Sequence, residues 1–286
     1  MLADIKREYH VLNLGAGVQS TTLYLMFMRG ILTPQIDAAI FADTQDEQQA
    51  VYRHLEWLES LGGPRIVRAT RGKLSSALLH GENLAGKRWI SIPAFTPGAS
   101  GAREGRLRRQ CSKEYKVDVI RRAIRRDVLG LPNNNVPRNL SVHQYIGISS
   151  DEAGRAMRIE RAERPKYLQV DFPLLQRSMT RADCEALLKN WVPHRTPRSA
   201  CVYCPLHDDA EWLRVKTVPE DWELATRLDD SLRSTLVVAD QGRANKMPMF
   251  LHRSLQPLVQ INFEERAKTK SSWIGFKVEC QGVCGV

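Results

Sequence analysis

Short apolar runs alternate with longer amphipathic segments over the first half of the chain. Runs of strand length cover residues 10–14, 37–42, 65–69 and 142–147. Between the first three runs, residues 18–28 are helix-compatible and residues 48–61 have the pattern of an amphipathic helix, and a glycine follows each segment closely. Strands that alternate with helices predict an α/β fold with a doubly wound, mostly parallel sheet and right-handed crossovers.

The pattern changes after Pro173. A helix is predicted from Thr180, a favoured N-cap residue type, and further helices are predicted over 208–216 and 219–235. We therefore expect an α/β domain over residues 1–175 and a helical C-terminal region over 176–286 with a cysteine-bearing tail. Upstream, residues 91–105 are rich in Pro, Gly, Ser and Ala and predict a mobile lid loop, and residues 113–128 predict a helix.

The charge balance adds a functional constraint. The 286 residues include 42 Lys and Arg against 32 Asp and Glu, a formal net charge of +10. This balance indicates a polyanionic partner or an anionic substrate. The alternative is that the positive charge serves no specific partner. No apolar stretch approaches the roughly 20 residues that span a bilayer, and the N-terminus has no apolar signal region. We expect a soluble cytoplasmic protein without a membrane partner.

The turn between the first strand and the first helix carries the strongest chemical signal. It reads Gly-Ala-Gly-Val-Gln-Ser-Thr over residues 15–21. Small residues let backbone N–H groups approach a ligand, and the unpaired N–H groups and positive dipole end of a first helical turn bind phosphate. The turn lacks the Gly-Lys-Ser/Thr ending of a Walker A loop, and Ser20 stands where the dinucleotide fingerprint has its third glycine. A tight turn without a ligand is the alternative.

Five stretches follow one another between residues 10 and 215. They are LNLGAGVQSTT at 12–22, FADT at 41–44, RQCSKEYK at 109–116, GISSDEAGR at 147–155 and CVYCP at 201–205. In this order the stretches resemble the PP-loop ATP pyrophosphatases and, within them, the phosphoadenylylsulfate (PAPS) reductase family. They are also similar to the PAPS-reductase-like proteins of DNA phosphorothioation systems.

The resemblance implies an adenine nucleotide alpha-hydrolase-like fold that binds ATP and Mg²⁺ at the carboxyl ends of the strands. The residues that it assigns to the phosphates are Gly15, Ala16, Gly17, Val18, Gln19, Ser20 and Thr21. It assigns Asp43 and Thr44 to the adenosine, Gly147 and Arg155 to the far side of the pocket, and catalytic roles to Ser20, Asp43 and Cys111.

Two residues depart from the family's loop. Gln19 replaces the family's aspartate, so a carboxylate that helps to hold Mg²⁺ is missing, and Gly15 replaces a serine. Mg²⁺ is often held by substrate phosphates and water. Asp43, Asp46 and Glu47 are the candidates to replace the lost carboxylate.

Closely spaced cysteines in a cytosolic chain favour metal binding or thiol chemistry over disulfides. The spacing of Cys201 and Cys204 suits two ligands of one metal or cluster. The resemblance pairs this motif with Cys111, so a 4Fe–4S cluster would take its fourth ligand from Cys280 or Cys284, or would leave one iron open. Zinc, persulfide-carrying thiolates and structural thiols remain alternatives. Cys184, inside a predicted helix, is expected to be a buried structural residue.

An arginine-rich block runs from residue 103 to residue 126. Its first half adjoins the lid loop and Cys111, where we expect it to bind the nucleotide or a nucleic-acid backbone. In its second half, Arg121, Arg122, Arg125 and Arg126 have helical spacing. For these four residues a solvated helix face and a phosphate-binding surface both remain open.

These expectations combine into one enzyme. It would adenylylate an oxygen of a nucleic acid with release of pyrophosphate, and sulfur would then displace AMP. DNA phosphorothioation is the first expectation for this reaction. The expected partners are a cysteine desulfurase as sulfur donor and other subunits of a modification complex. The chain is also expected to form a homodimer. The alternatives are tRNA thiolation, a PAPS or adenylylsulfate reductase that produces sulfite, and a nucleotide-binding scaffold without catalysis.

Overall fold

A five-stranded sheet forms the centre of the chain. The computed structural model describes residues 7–80, 91–97, 105–133, 135–234, 237–238, 244–245 and 248–268. The strand order is β3-β2-β1-β6-β7, and every neighbouring pair is parallel. The strands are β1 (Arg7–Asn13), β2 (Ala38–Asp43), β3 (Ile66–Thr70), β6 (Leu140–Ile146) and β7 (Leu168–Asp171). The predicted α/β fold with a parallel sheet is confirmed.

Helices cover both faces of this sheet, because alternate residues of each buried strand point to opposite sides. On one face, Leu12 and Phe41 pack with α1 (Val18–Met28), α2 (Gln49–Ser60) and α7 (Arg181–Trp191). On the other face, Val11 and Ile40 pack with α4 (Asp118–Ala123). Also on that face, Ile146 packs with α5 (Ala153–Arg161).

Several predicted elements agree with the structure to within one or two residues, and several short elements were missed. Both α1 and α2 match their predictions closely, and the helix predicted over 113–128 is present, with π-type turns at Lys113–Val117 and Ile124–Val128 around α4. The missed elements include α3 (Leu74–His80), α5 and β7. Among these three, α5 buries only a narrow apolar side between charged residues.

The predicted lid segment contains a small ladder. Strands β4 (Phe95–Thr96) and β5 (Gly105–Arg106) pair in antiparallel fashion, and Phe95 also forms a bridge with Phe250. At least the two ends of this segment are therefore ordered parts of the fold. Residues 98–104, in the middle of the predicted lid, lie outside the described residues.

The C-terminal region is largely helical and builds a second core. Trp212, Tyr203 and Phe263 are fully buried there, among the helices α8 (Asp209–Lys216), α9 (Pro219–Ser234) and α10 (Phe263–Lys268). The remaining elements are α6 (Pro173–Gln176), β8 (Val237–Val238) and β9 (Ala244–Asn245). Within the part of the chain that the structure describes, no helix is both long and apolar enough to cross a bilayer.

Two local predictions in this region are confirmed. The Thr180 side chain caps α7 by accepting from the Asp183 N–H, and the Asp183 carboxylate accepts in return from the Thr180 N–H. Cys184 is fully buried where α7 packs on α1. The domain boundary at residue 175 stays a prediction.

Candidate functional site

The predicted phosphate loop follows β1, the central strand, and leads directly into α1. The Ser20 hydroxyl accepts from the Gly15 N–H at 3.2 Å and from the Gly17 N–H at 3.3 Å, so this one side chain closes the loop. Ala16 has a left-handed backbone with φ of 57°. All seven loop residues are buried. In such a low-dielectric setting, the partial positive charge at the start of α1 acts on an anion more strongly than in water.

The end of β6 supports this loop at Gly147. A Cβ atom at that position would lie 2.9 Å from the Gln19 carbonyl carbon and 2.9 Å from the Ser20 nitrogen, both of them backbone atoms. Only glycine therefore fits at position 147 with the loop in its present conformation. The structure thus assigns Gly147 a direct packing contact with the loop, in addition to the pocket-lining role expected from the sequence.

Gln19 holds the loop to two other elements through its side-chain amide. Its Nε2 donates to Ser149 Oγ at 3.3 Å and to Glu152 Oε2 at 2.9 Å, and its Oε1 accepts from Arg181 Nη1 at 3.0 Å. Gln19 is fully buried. The Glu152 carboxylate therefore lies next to position 19, where the family has its aspartate. Glu152 was not among the replacements predicted from the sequence.

Arg155 and Arg181 complete the polar surroundings of Gln19. Arg155 is 6% exposed, and its Nη1 lies 3.5 Å from Glu152 Oε1. Arg181, at the start of α7, also pairs with Glu185 at 3.0 Å. Arg155 was predicted as a site residue from the sequence. Arg181 lies in none of the five sequence motifs and was not predicted.

Thr21 is turned toward the neighbouring helix. Its Oγ1 hydrogen-bonds to His54 Nε2 at 2.9 Å, and His54 Nδ1 hydrogen-bonds to His194 Nε2 at 2.8 Å. Burial, together with a smaller contribution from the nearby His194, lowers the pKa of His54 to about 3. His54 is therefore neutral near pH 7 and fixes the Thr21 hydroxyl within the protein.

The last residue of β2 and the segment after it carry the three proposed replacement carboxylates, and two of them are strongly engaged. Asp46 accepts from Ser75 N at 2.6 Å and from the Tyr203 hydroxyl at 2.7 Å. Glu47 forms a buried ion pair with Lys116 at 2.7 Å. Asp43 is half-buried; its Oδ1 accepts from Gln45 N at 2.7 Å and from Tyr52 at 2.9 Å. Asp43 is therefore the most accessible of the three.

The same segment meets the Cys-x-x-Cys motif. Thr44 Oγ1 lies 3.2 Å from Cys201 Sγ, the Val202 N–H donates to the Asp46 carbonyl at 2.8 Å, and Glu47 forms an isolated bridge with Cys201. Burial raises the pKa of the Cys201 thiol, and the Glu47 carboxylate raises it further. A residue assigned to the adenosine is thus in direct contact with a predicted metal ligand.

Three of the five predicted metal-ligand cysteines come together. Cys111, Cys201 and Cys204 line one cavity of about 20 Å³, roughly the room of one water molecule. Their thiol chemistry fits iron or zinc. Among the described residues, however, no group of three or more His, Cys, Asp or Glu is placed to hold a metal ion. Cys280 and Cys284 lie outside the described residues.

Comparison of the chain with models of protein families, with curated proteins and with solved structures finds no match. The resemblance to the PP-loop pyrophosphatases therefore depends on the five sequence motifs and their order along the chain.

Replacing Gly147 tests the support of the loop. We expect Gly147→Ala to lower the free energy of unfolding by about 1–3 kcal/mol, because the new methyl group meets backbone atoms that cannot move aside. Gly154→Ala, seven residues later in α5, is the matched control, since nothing lies within 4 Å of its Cβ position. That control is expected to gain about 0.5–1 kcal/mol. Urea unfolding of both variants checks this, and equal stabilities would refute the close contact.

The pH dependence of stability tests the environment of His54. An unfolded chain protonates this side chain below its ordinary pKa of 6.5, whereas the folded chain resists protonation until about pH 3. The unfolded state therefore binds more protons as the pH falls through this window, and stability decreases. We expect this residue to account for about 2 kcal/mol of the loss between pH 7 and pH 5. Urea unfolding of His54→Gln should show a correspondingly smaller loss; an unchanged pH dependence would contradict the assignment.

Proposed function

We propose that this chain is an ATP pyrophosphatase of the PP-loop type, with an adenine nucleotide alpha-hydrolase-like fold, that activates an oxygen of a nucleic acid for replacement by sulfur. The observation that carries the proposal is the buried loop over residues 15–21. It joins the central parallel strand to the start of an 11-residue helix, and its backbone rests on Gly147. Ligands of open α/β sheets bind at this edge.

The proposed reaction has two displacements. A phosphate oxygen of the nucleic acid attacks the α-phosphorus of ATP, the bond between that phosphorus and the bridging oxygen breaks, and pyrophosphate leaves. The first-turn N–H groups of α1 stabilise the negative charge of pyrophosphate, and Ser20 keeps the loop in position for this. The outer sulfur of a cysteine persulfide, formed by a cysteine desulfurase, would then attack the activated phosphorus and expel AMP. A second thiol would break the remaining S–S bond, which releases the phosphorothioate and leaves a disulfide with the carrier cysteine.

Mg²⁺ would neutralise part of the phosphate charge when bound with ATP. Asp43 and Glu152 are the carboxylates of this chain best suited to approach it, because Asp46 and Glu47 are engaged by buried donors. Glu152 would also explain how the chain tolerates glutamine at position 19, since the two side chains are in contact.

The contact between Thr44 and Cys201 supports a sulfur function for the same site. A 4Fe–4S cluster would take Cys111, Cys201 and Cys204 with Cys280 or Cys284 as ligands, and it would supply bound sulfide. The present cavity of about 20 Å³ would have to widen to admit it. Zinc on the same thiols is the second candidate. The net charge of +10 supports a nucleic-acid substrate, for which we favour DNA over tRNA.

Ser20→Ala tests the proposed reaction. Loss of the hydroxyl removes the acceptor that closes the loop, and we expect pyrophosphate release from ATP to fall at least about tenfold. Ser60→Ala, at the end of α2, is the matched control and should release pyrophosphate at the wild-type rate. Activity is measured with DNA and a persulfide donor present. Sulfite formation from PAPS without pyrophosphate release would instead support a reductase, and unchanged activity in Ser20→Ala would refute the loop's role.

Anaerobic metal and sulfide analysis tests the sulfur site. We expect about four iron atoms and four sulfide ions per chain, with an absorption band at about 400 nm. Cys204→Ser should lose most of this content, whereas Cys184→Ser, whose side chain lies in the core between α1 and α7, should retain it. Stoichiometric zinc in colourless protein would exclude the cluster, and protein without either metal would exclude both metal proposals.

A further inference from the structure

One face of the sheet has an unusual arrangement of positive charge. Helix α4, with the π-type turn that follows it, packs on this face through Val119 and Ile124. Helix α5 packs on the same face through Ala156 and Ile159. Residues 118–128 and 153–166 together contain nine Arg and Lys against four Asp and Glu. The outer side of this layer is therefore strongly basic.

Six basic residues of this layer form no ion pair within the described part of the chain. We call them the basic face. They are Arg122, Arg125, Arg126, Arg158, Arg161 and Lys166. The arginines at 68, 181, 233 and 253, by contrast, each pair with a carboxylate. The basic face thus carries charge that the fold leaves without a carboxylate partner.

One further arginine connects the two halves of the basic face. Arg121 Nη2 donates to the Glu163 carbonyl at 3.1 Å, which joins α4 to the turn after α5. Within the α5 half, Arg164 Nη2 donates to the Ile159 carbonyl at 2.8 Å. These bonds satisfy backbone carbonyls and leave the positive charges in place. The α4 and α5 halves of the basic face are therefore neighbours that meet at Arg121 and Glu163.

The α5 half of this surface begins beside the candidate site and extends from there toward the amino ends of the strands. Helix α5 begins directly after Glu152, which contacts Gln19 of the loop, and its nine residues extend about 13 Å away from that point. Arginine suits bidentate contacts with phosphate, and a row of cations without carboxylate partners gains affinity for a polyanion by releasing its counterions.

We propose that the basic face is the docking surface for the phosphate backbone of a DNA duplex. The inference rests on the proposed function for the choice of DNA as the polyanion, and it deepens that function by naming the surface that holds the substrate. It also favours the phosphate-binding alternative over a merely solvated helix face for the second half of the arginine-rich block.

The test compares two fourfold variants of the full chain. The first replaces Arg126, Arg158, Arg161 and Lys166 by Gln; all four are exposed and make no hydrogen bond within the described residues. The matched control replaces four exposed cations away from the basic face by Gln, so that the same net charge is removed. The control residues are Arg53, Lys189, Arg195 and Arg227.

Binding of a labelled random-sequence DNA duplex is measured against salt concentration, and thermal unfolding confirms that each variant is folded. We expect the basic-face variant to bind at least about tenfold more weakly at low salt, with the slope of log affinity against log salt reduced by about 3. The control variant should keep most of the affinity and slope of the wild type.

Three results would overturn the inference: equal losses in both variants, no duplex binding by the wild type, or binding to anionic phospholipid vesicles in place of DNA. Pyrophosphate release from ATP is assayed separately, so failure of the two proposals can be told apart. If the basic-face variant binds the duplex like the wild type and pyrophosphate is released, only the proposed docking surface is refuted. If the basic-face variant selectively loses duplex binding but the wild type releases no pyrophosphate, only the proposed reaction is refuted.

Discussion

The backbone of the loop between β1 and α1 rests directly on Gly147, and the candidate site depends on this contact. Because β1 and β6 are neighbouring parallel strands, their carboxyl ends bring the loop and the 147–155 segment together. No side chain separates them, so the Gln19 amide can reach Ser149 and Glu152. Through Arg181, the same amide also engages α7. A displacement of the loop would therefore disturb its contacts with β6, α5 and α7 at the same time.

A second constraint links the nucleotide side of the site to its sulfur side. The short segment after β2 is held by buried polar groups, among them the Glu47–Lys116 ion pair and the bonds of Asp46 to Ser75 and Tyr203. Removing one partner of a buried ion pair typically costs about 3–5 kcal/mol, so this segment has little freedom to move. Since Thr44 lies on it and contacts Cys201, chemistry at the thiol and binding beside Thr44 share one rigid support.

Sequence patterns predicted the long elements well and the short ones poorly. Helix α2 is long enough for its apolar residues to show a helical period, whereas α1 is buried on nearly all sides and was predicted from helix-compatible residues that end at a glycine. Strand β2 is a continuous apolar run because helices cover both faces of the sheet. The four residues of β7 are too few to show a period, and α5 is dominated by arginines. The ladder of β4 and β5 has two residues per strand, so local composition alone indicated a loop.

The sequence by itself determined the local chemistry: a loop of small residues before a helix, a Cys-x-x-Cys motif, a helix cap at Thr180 and an excess of positive charge. These features depend on residues close together in the chain, so their physical consequences can be read locally. Only the tertiary structure decided which of them meet. Gln19 and Glu152 are brought together by the pairing of β1 with β6, and Thr44 and Cys201 by the docking of the C-terminal region on the end of β2. The basic face forms only because α4 and α5 pack side by side on one face of the sheet. The sequence of either helix alone does not show that their charges are neighbours.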